Sequence, residues 1–415
     1  MHDILPGEMH WHERVSSVAR RVSEFYNFQK VESPIVEFAA LFERGVGEDT
    51  DVVQKEMYTL TTKGGDRLAL RPEGTASAAR LYAEHALSRV SPIQKLYYEG
   101  PMFRHENTQS GRSRGFHQIG FEVIGSPNDP IYDAQVIIVM TRTLEELKLK
   151  RVVLKINSIG CRICRPIYKR MLQNYYKNRL KDLCADCERR YKTNPLRLLD
   201  CKRPECAEHK KNAPNFFDKL CVTCSHHLKT VLEYLDEVQI SYSLDHELVR
   251  GLDYYSRTVF EFFIEGADGV LGDAIASGGR YDYLMELLGG RPTPGVGCAM
   301  GVERIVDAMK AQEIKLSQRP SKKVFIVHVG DLAKKKIIGL IEVLRNASIP
   351  TGESLSRDSI KAQLKAANKE GSPLALIVGQ KEIFEESVII RDLKSGLQET
   401  IPTKRMVEEI KKRLK

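Results

Sequence analysis

Eight of the nine cysteines in this 415-residue chain fall between Cys161 and Cys224. They form four close pairs: Cys161 with Cys164, Cys184 with Cys187, Cys201 with Cys206, and Cys221 with Cys224. A two-residue gap lets both thiolates of a pair face one tetrahedral ion, and eight sulfurs suffice for two four-sulfur zinc sites. Reduced cysteines packing as small hydrophobes are the plain alternative, and the density of pairs weighs against it. An iron–sulfur cluster shares the ligand chemistry and stays open. The expected pairing is sequential, 161/164 with 184/187 and 201/206 with 221/224, with interleaving as the other possibility. His209, His226 and His227 are alternative ligands but read as surface residues. Full thiolate ligation leaves no open position, so the expected role is structural. Cys298 stands apart and reads as a buried core residue.

Disulfides are disfavoured in a reducing compartment. The stretch Met1–Glu8, with Asp3, Pro6 and Glu8 and no apolar run, does not read as an export signal. No segment approaches the ~20 apolar residues that span a bilayer. The expectation is therefore a cytoplasmic protein with no membrane association. The length favours two or three domains. Net charge is +9, and from Lys322 to Lys415 there are 19 Lys and Arg against 12 Asp and Glu, so most of the excess lies in the last quarter. A basic terminal domain suits a polyanion such as nucleic acid, although a solvated lysine-rich face reads the same way.

Trp11–Phe28 has apolar residues at helical spacing. Extended segments are expected at Ile35–Phe38, Lys55–Leu60, Arg67–Leu70, Lys95–Met102 and Gly115–Ile124. The last two flank a polar loop, Phe103–Arg114, and read as a hairpin. Strands so close in sequence suggest an antiparallel sheet. Strand character returns at Val259–Ile264, and a helix is expected from about Met300. After a polar linker, Ser317–Lys323, strands at Val324–Val329, Leu374–Val378 and Ser387–Arg391 mix with helices at Lys334–Asn346, Ile360–Glu370 and Thr403–Lys412. That is a small α/β domain.

Four segments concentrate chemistry. Arg71-Pro72-Glu73-Gly74-Thr75 is followed by Phe103-Arg104-His105-Glu106 and, on the returning arm, Phe116, Gln118 and Glu122. Arg250-Gly251-Leu252-Asp253-Tyr254-Tyr255 packs a cation, an anion and two phenols into six residues. Gly278-Gly279-Arg280-Tyr281-Asp282 and Gly301-Val302-Glu303-Arg304 complete the set. Arginine at a hairpin base binds phosphate bidentately, carboxylates hold an amine or imidazole, and paired glycines let backbone approach a ligand. Taken singly, each is equally a surface ion pair of little consequence.

Their order and spacing resemble the histidyl-tRNA synthetases, class II aminoacyl-tRNA synthetases, over nearly the whole chain. Phe103-Arg104-x-Glu106 is similar to the second class motif, Gly301–Arg304 to the third, and the segment around Pro34 to the first, which in the family builds a dimer interface. Arg250–Tyr255 and Gly278–Asp282 resemble the two signatures of the histidine enzyme. The resemblance implies an α+β fold: an antiparallel catalytic sheet flanked by helices, a helical insertion (here zinc-stapled), and a C-terminal α/β anticodon-binding domain. The implied division is 1–158 and 236–316 for the two catalytic parts, 159–235 for the cysteine-rich insertion, and 322–415 for the anticodon-binding domain.

It also implies ATP-dependent ligation of histidine to tRNA(His), with ATP, Mg2+, histidine and tRNA as ligands and a homodimer as the assembly. Arg104 and Arg250 would be catalytic, on the α-phosphate. Arg104, Glu106, Phe116 and Arg304 would bind ATP, with Phe116 and Arg304 sandwiching adenine. Glu73, Thr75 and Gln118 would take the ammonium of histidine. Glu122 and Tyr255 would read its imidazole, with Tyr254 and Tyr281 in the same pocket. The insertion would contact the acceptor arm of tRNA. The pattern departs from the family at Asn107, Thr108, Ser113 and Gly115, which bears on ATP and acceptor-end contacts. Two rivals remain at this point: a synthetase-like regulatory subunit of ATP phosphoribosyltransferase, and a zinc-stapled RNA-binding module without catalysis. The first lacks the C-terminal domain and the Arg250–Tyr255 pattern; the second has no use for the ATP-site arginines.

Overall fold

A long antiparallel hairpin organises the larger part of the chain. Its arms, Gln94–Phe103 and Gly115–Ile124, pair continuously from Gln94 opposite Ile124 to Phe103 opposite Gly115. The computed structural model describes residues 3–48, 50–106, 111, 113–125, 128–316 and 323–414. Asn107 and Thr108 of the hairpin loop, and 317–322 of the expected linker, lie outside the described residues. The chain forms two units, Met1–Lys315 and Leu316–Lys415. Among the described residues no helix is long and apolar enough to cross a membrane.

The first unit holds strands β1 (Gln29–Lys30), β2 (Val36–Phe38), β3 (Thr59–Thr61), β4 (Arg67–Leu70), β5 (Gln94–Phe103), β6 (Gly115–Ile124), β7 (Val152–Ser158), β8 (Ser243–Leu244), β9 (Ser256–Ile264), β10 (Ala276–Arg280) and β11 (Gly295–Gly301). The large sheet runs β1-β5-β6-β11-β10-β9-β7-β8, and β2, β4 and β3 make a small separate sheet. The short edge strands β1 and β8 pair in parallel. The six strands between them are antiparallel, as expected. The glycine-rich stretch around Gly278 is itself a strand. A Cβ at Gly278 would lie 2.3 Å from the Gly297 carbonyl oxygen, so only glycine lets β10 and β11 meet there. One expected strand is absent. Within Lys55–Leu60 only Thr59 and Leu60 are extended, because Thr50 starts a helical turn over Val52–Glu56, its carbonyl accepting from the Gln54 amide at 3.0 Å.

The helices of this unit are α1 (Pro6–Phe25), α2 (Ala39–Val46), α3 (Thr75–Glu84), α4 (Pro130–Glu146), α5 (Cys164–Tyr176), α6 (Ala185–Thr193), α7 (Pro204–Lys211), α8 (Val222–Glu237), α9 (Leu284–Leu287) and α10 (Val302–Ala311). α1 begins ahead of its apolar repeat because Pro6 suits a first helical turn. Helices α5 to α8 make up the cysteine-rich stretch, and they share an apolar core with the catalytic part. One apolar cluster runs from Phe42, Tyr82 and Leu284 through Tyr254 and Tyr281 to Tyr168, Leu172, Phe216, Leu196 and Leu198.

The second unit has strands β12 (Val324–His328), β13 (Thr351–Glu353), β14 (Leu374–Val378), β15 (Ser387–Asp392) and β16 (Gln398–Pro402), in the order β13-β12-β14-β15-β16. β12 is parallel to both neighbours, while β14, β15 and β16 are antiparallel. Its helices are α11 (Asp331–Asn346), α12 (Ile360–Lys369), α13 (Gln380–Phe384) and α14 (Met406–Arg413). α11 and α14 bury Ile337, Leu344 and Ile410 with Val324 and Ile326, whereas Ala367 of α12 packs with Phe325 and Val327. Covering both faces explains why β12 and β14 read as unbroken apolar runs.

A buried ionic network ties helices to the large sheet. Asp133 of α4 accepts from the Arg280 guanidinium of β10 and lies 3.1 Å from His227 Nε2 of α8. Arg280 also meets Asp282 at 2.9 Å. His227 is thus buried, contrary to the expected surface position. It follows Cys224 by three residues on α8 and shares its inward face. Removing one partner of such a network leaves a buried charge uncompensated, at a cost of about 3–5 kcal/mol. Asp133→Ala is expected to lower the thermal midpoint sharply; an unchanged melting curve would show the network to be dispensable.

Candidate active site

A buried carboxyl group sets the floor of the site. Glu122, on β6, accepts from Thr75 Oγ1 at 2.7 Å and Tyr281 Oη at 2.6 Å, with Tyr98 Oη at 3.4 Å. Space for it comes from across the sheet: a Cβ on Gly297 would sit 1.6 Å from Glu122 Oε2. Glu73 lies at the start of α3, where its oxygens accept from the Thr75 and Ala76 amides at 2.7 and 2.8 Å, and Tyr254 Oη approaches at 3.3 Å. Gln118 Oε1 accepts from the Gly74 amide at 3.1 Å. Tyr98, which the sequence reading missed, stands between Gln118 and Glu122. Its signal was present in the glycines that make room for it, since a Cβ on Gly74 or Gly120 would lie 2.2 Å from its ring.

Above this floor opens a cavity of about 440 Å3. Glu73, Thr75, Arg104, Glu106, Phe116, Gln118, Arg250, Tyr254, Tyr255 and Arg304 all line it. Glu122 and Tyr281 lie one layer below, joined to the wall through Thr75. Cys298 is buried as expected, yet it too reaches the cavity. Each of the three arginines is anchored by protein groups. Arg104 Nε donates to the Pro72 carbonyl at 2.9 Å, with its guanidinium 5.6 Å from the Phe116 ring centre. Arg250 is held by Glu261 and by Ser277 Oγ at 2.7 Å, and it sits 5.4 Å from the Tyr255 ring centre. Arg304 donates from Nε to the Gly111 carbonyl at 2.9 Å. Glu303, beside it, accepts from the His117 amide at 2.9 Å and lies 2.8 Å from His117 Nδ1, fixing α10 to the foot of β6.

Electrostatics divides the cavity. Burial pushes the Glu122 carboxyl up to about 8; hydrogen bonds from Tyr281 and Thr75 oppose the rise and Glu73 adds to it. Burial also raises Glu73, against the amides of Ala76 and Thr75. One end therefore holds two acids that a cationic or hydrogen-bonding ligand would stabilise, while the wall carries guanidinium groups suited to phosphate.

The eight clustered cysteines form two groups, and the expected sequential pairing is wrong. Cys161, Cys164, Cys221 and Cys224 make one group; Cys184, Cys187, Cys201 and Cys206 make the other. The chain leaves the sheet after β7 and returns through α8 to β8, so the first and last pairs meet at the neck and the middle pairs meet within. Sγ–Sγ separations of 3.8 Å occur at 161–164, 161–221, 164–224 and 184–201. A tetrahedron with metal–sulfur bonds of about 2.3 Å has edges of about 3.8 Å, so the donor sets fit zinc. Backbone amides of Cys161, Ile163 and Cys184 point at sulfurs, as suits thiolates.

Solved structures place this arrangement in its class. The apo histidyl-tRNA synthetase of S. aureus matches with a TM-score of 0.82 at 32% identity, covering 99% of this chain and 98% of that one. The fold is that of a class II aminoacyl-tRNA synthetase. The histidyl-tRNA synthetase family model matches residues 1–305, and an anticodon binding domain model matches 323–413. The histidine–tRNA ligase of Thermodesulfovibrio yellowstonii is 41% identical, covering 100% of this chain and 97% of its own; that of Dehalococcoides mccartyi is 44% identical, covering 99% and 98%. The chain belongs to the histidyl-tRNA synthetase family, and its activity is that of a histidine–tRNA ligase. Full-length agreement with ligases sets aside the regulatory-subunit and non-catalytic readings.

Glu122 also makes stability depend on pH. Its carboxyl titrates near 8 in the fold against 4.5 in an ordinary setting, so the folded state holds an extra proton between these values. The stabilisation is complete below about pH 4.5 and is lost as pH rises through 8. Relative to Glu122→Gln, which stays neutral, the wild type is expected to lose on the order of a few kcal/mol between about pH 5 and 9. Paired thermal melts across that range check this, and a constant difference would show that Glu122 is ionised throughout.

Proposed function

We propose that the cavity activates histidine on ATP and that its residues divide the work as follows. Glu122 and Tyr255 read the imidazole nitrogens, with Tyr254 and Tyr281 closing the pocket; Glu73, Thr75 and Gln118 receive the ammonium. Arg104 and Arg250 face the α-phosphate and Arg304 the γ-phosphate, while Glu106 and Phe116 hold adenine with Arg304. A carboxylate oxygen of histidine attacks the α-phosphorus, and the bond to pyrophosphate breaks. The terminal ribose hydroxyl of tRNA(His) then attacks the acyl carbon, and AMP leaves. Fixed guanidinium groups lower the first barrier by position and charge, with no covalent enzyme intermediate. Mg2+ accompanies ATP and shares the phosphate charge. The observation that carries this reading is one cavity with a caged acid at its floor and three arginines on its wall.

The same reading divides the chain into catalytic parts 1–158 and 236–316, insertion 159–235 and anticodon-binding domain 322–415, in the cytoplasm. Both cysteine groups hold structural zinc. A homodimer is supported by the exposed apolar residues Ile35, Val36, Phe38 and Leu60 on the small sheet and its approach.

ATP–pyrophosphate exchange across a panel of amino acids is expected to depend on histidine alone, and another preferred amino acid would overturn the assignment. Arg250→Ala is expected to lower the exchange rate about 100- to 1,000-fold; full activity would remove its phosphate role. Two zinc ions per chain are expected by elemental analysis, falling by one in either Cys161→Ser or Cys184→Ser, with a lower thermal midpoint in each. Metal-free protein with an unchanged midpoint would rule out the structural role.

A further inference from the structure

The insertion is expected to act on tRNA, yet the segment between its inner cysteines contacts Asp51 and Asp253 of the catalytic part. Cys184 and Cys187 bracket the first turn of α6, and Cys201 closes the turn Pro195–Leu198 that follows it. The segment between them presents one amide and three guanidinium groups to the catalytic part. Asn194 is buried and donates from Nδ2 to Asp253 Oδ1 at 2.7 Å. Arg197, Arg190 and Arg189 meet Asp51 at 2.9, 3.2 and 3.4 Å. Partial burial would raise the Asp51 carboxyl, but Arg197, Lys55 and Arg190 pull it down to about 2. Asp253 belongs to the Arg250–Tyr255 segment. Its amide is bonded to the Val46 carbonyl at 3.0 Å, and Gly47, with φ +106°, leaves room for its side chain.

We infer that the inner metal group is a positioning device for the first chemical step: it fixes Asn194 against Asp253 and the three arginines against Asp51, and so sets where Arg250 and Tyr255 stand. This rests on the proposed roles of those two residues. Asn194 and Asp51 touch no reacting atom; they are positioning residues. Leu196 and Leu198 in the same turn share the apolar cluster with Tyr254 and Tyr255, so the segment has a second hold on the signature. A displacement of about 1 Å in such a signature costs up to roughly 100-fold in rate.

The test uses the full-length, metal-loaded protein with Asn194→Ala, Asn194→Asp and Asp51→Asn. Asn194→Ala is expected to lower histidine-dependent pyrophosphate exchange about 10- to 100-fold and to raise the KM for histidine. Charging of tRNA should fall by the same factor, with the tRNA KM and the zinc content unchanged. Asn194→Asp places a second carboxylate against Asp253 and should be worse than Asn194→Ala, an order that a packing role would not produce. Asp51→Asn should show the same profile more mildly. Wild-type exchange in all three variants would overturn the inference, as would a defect confined to the tRNA KM, or loss of zinc from Asn194→Ala and Asp51→Asn alike. Absence of histidine-dependent exchange in the wild type would instead sink the functional reading on which it rests.

Discussion

A carboxyl group taken out of water must be solvated by protein, and Glu122 shows how much of a fold that requirement recruits. Its partners come from three places: Thr75 at the start of α3, Tyr98 on the neighbouring strand, and Tyr281 just past β10. The two phenols, and the carboxyl group itself, each force a vacancy elsewhere. Tyr98 needs glycine at 74 and 120, Tyr281 needs it at 295, and Glu122 needs it at 297. Several glycines of this sheet are thus the negative image of one polar cage. An unbonded buried carboxyl is costly, so the glycines and phenols are constrained together.

Opposite the cage, each arginine is anchored before any ligand arrives. Backbone carbonyls take Arg104 and Arg304, and a carboxylate with a hydroxyl takes Arg250. Pre-orientation of this kind would leave little to reorganise when charge develops on phosphorus in the proposed activation step. Glu303, which lines the same cavity, holds His117 beside them.

What the sequence revealed depended on whether the signal was local. The hairpin arms Lys95–Met102 and Gly115–Ile124 were legible because alternation and a polar loop suffice to specify them, and the ten lining residues were legible through the family's motifs. β10 was not, because glycine argues against a strand until the facing backbone is known. The cysteine pairing was not, because spacing brings two sulfurs together while topology decides which pairs meet. His227 looked polar and therefore exposed; only the position of α8 against Asp133 turned it inward. Tyr98 carried no motif, and its role depends on strand register, which places it opposite Gly120.

With metal bound as proposed, the concentric arrangement of the sulfur groups would give the insertion an order of failure. The outer group gathers the two ends of the segment like a drawstring, whereas the inner one ties a loop within it. Undoing the inner knot releases only α6, α7 and their connections, with both ends still moored to the sheet. Undoing the outer one opens the neck, where the segment's return is then held by α8 alone, through His227 on Asp133 of α4. The same eight sulfurs, paired in sequence, would have made two independent lobes with no such hierarchy.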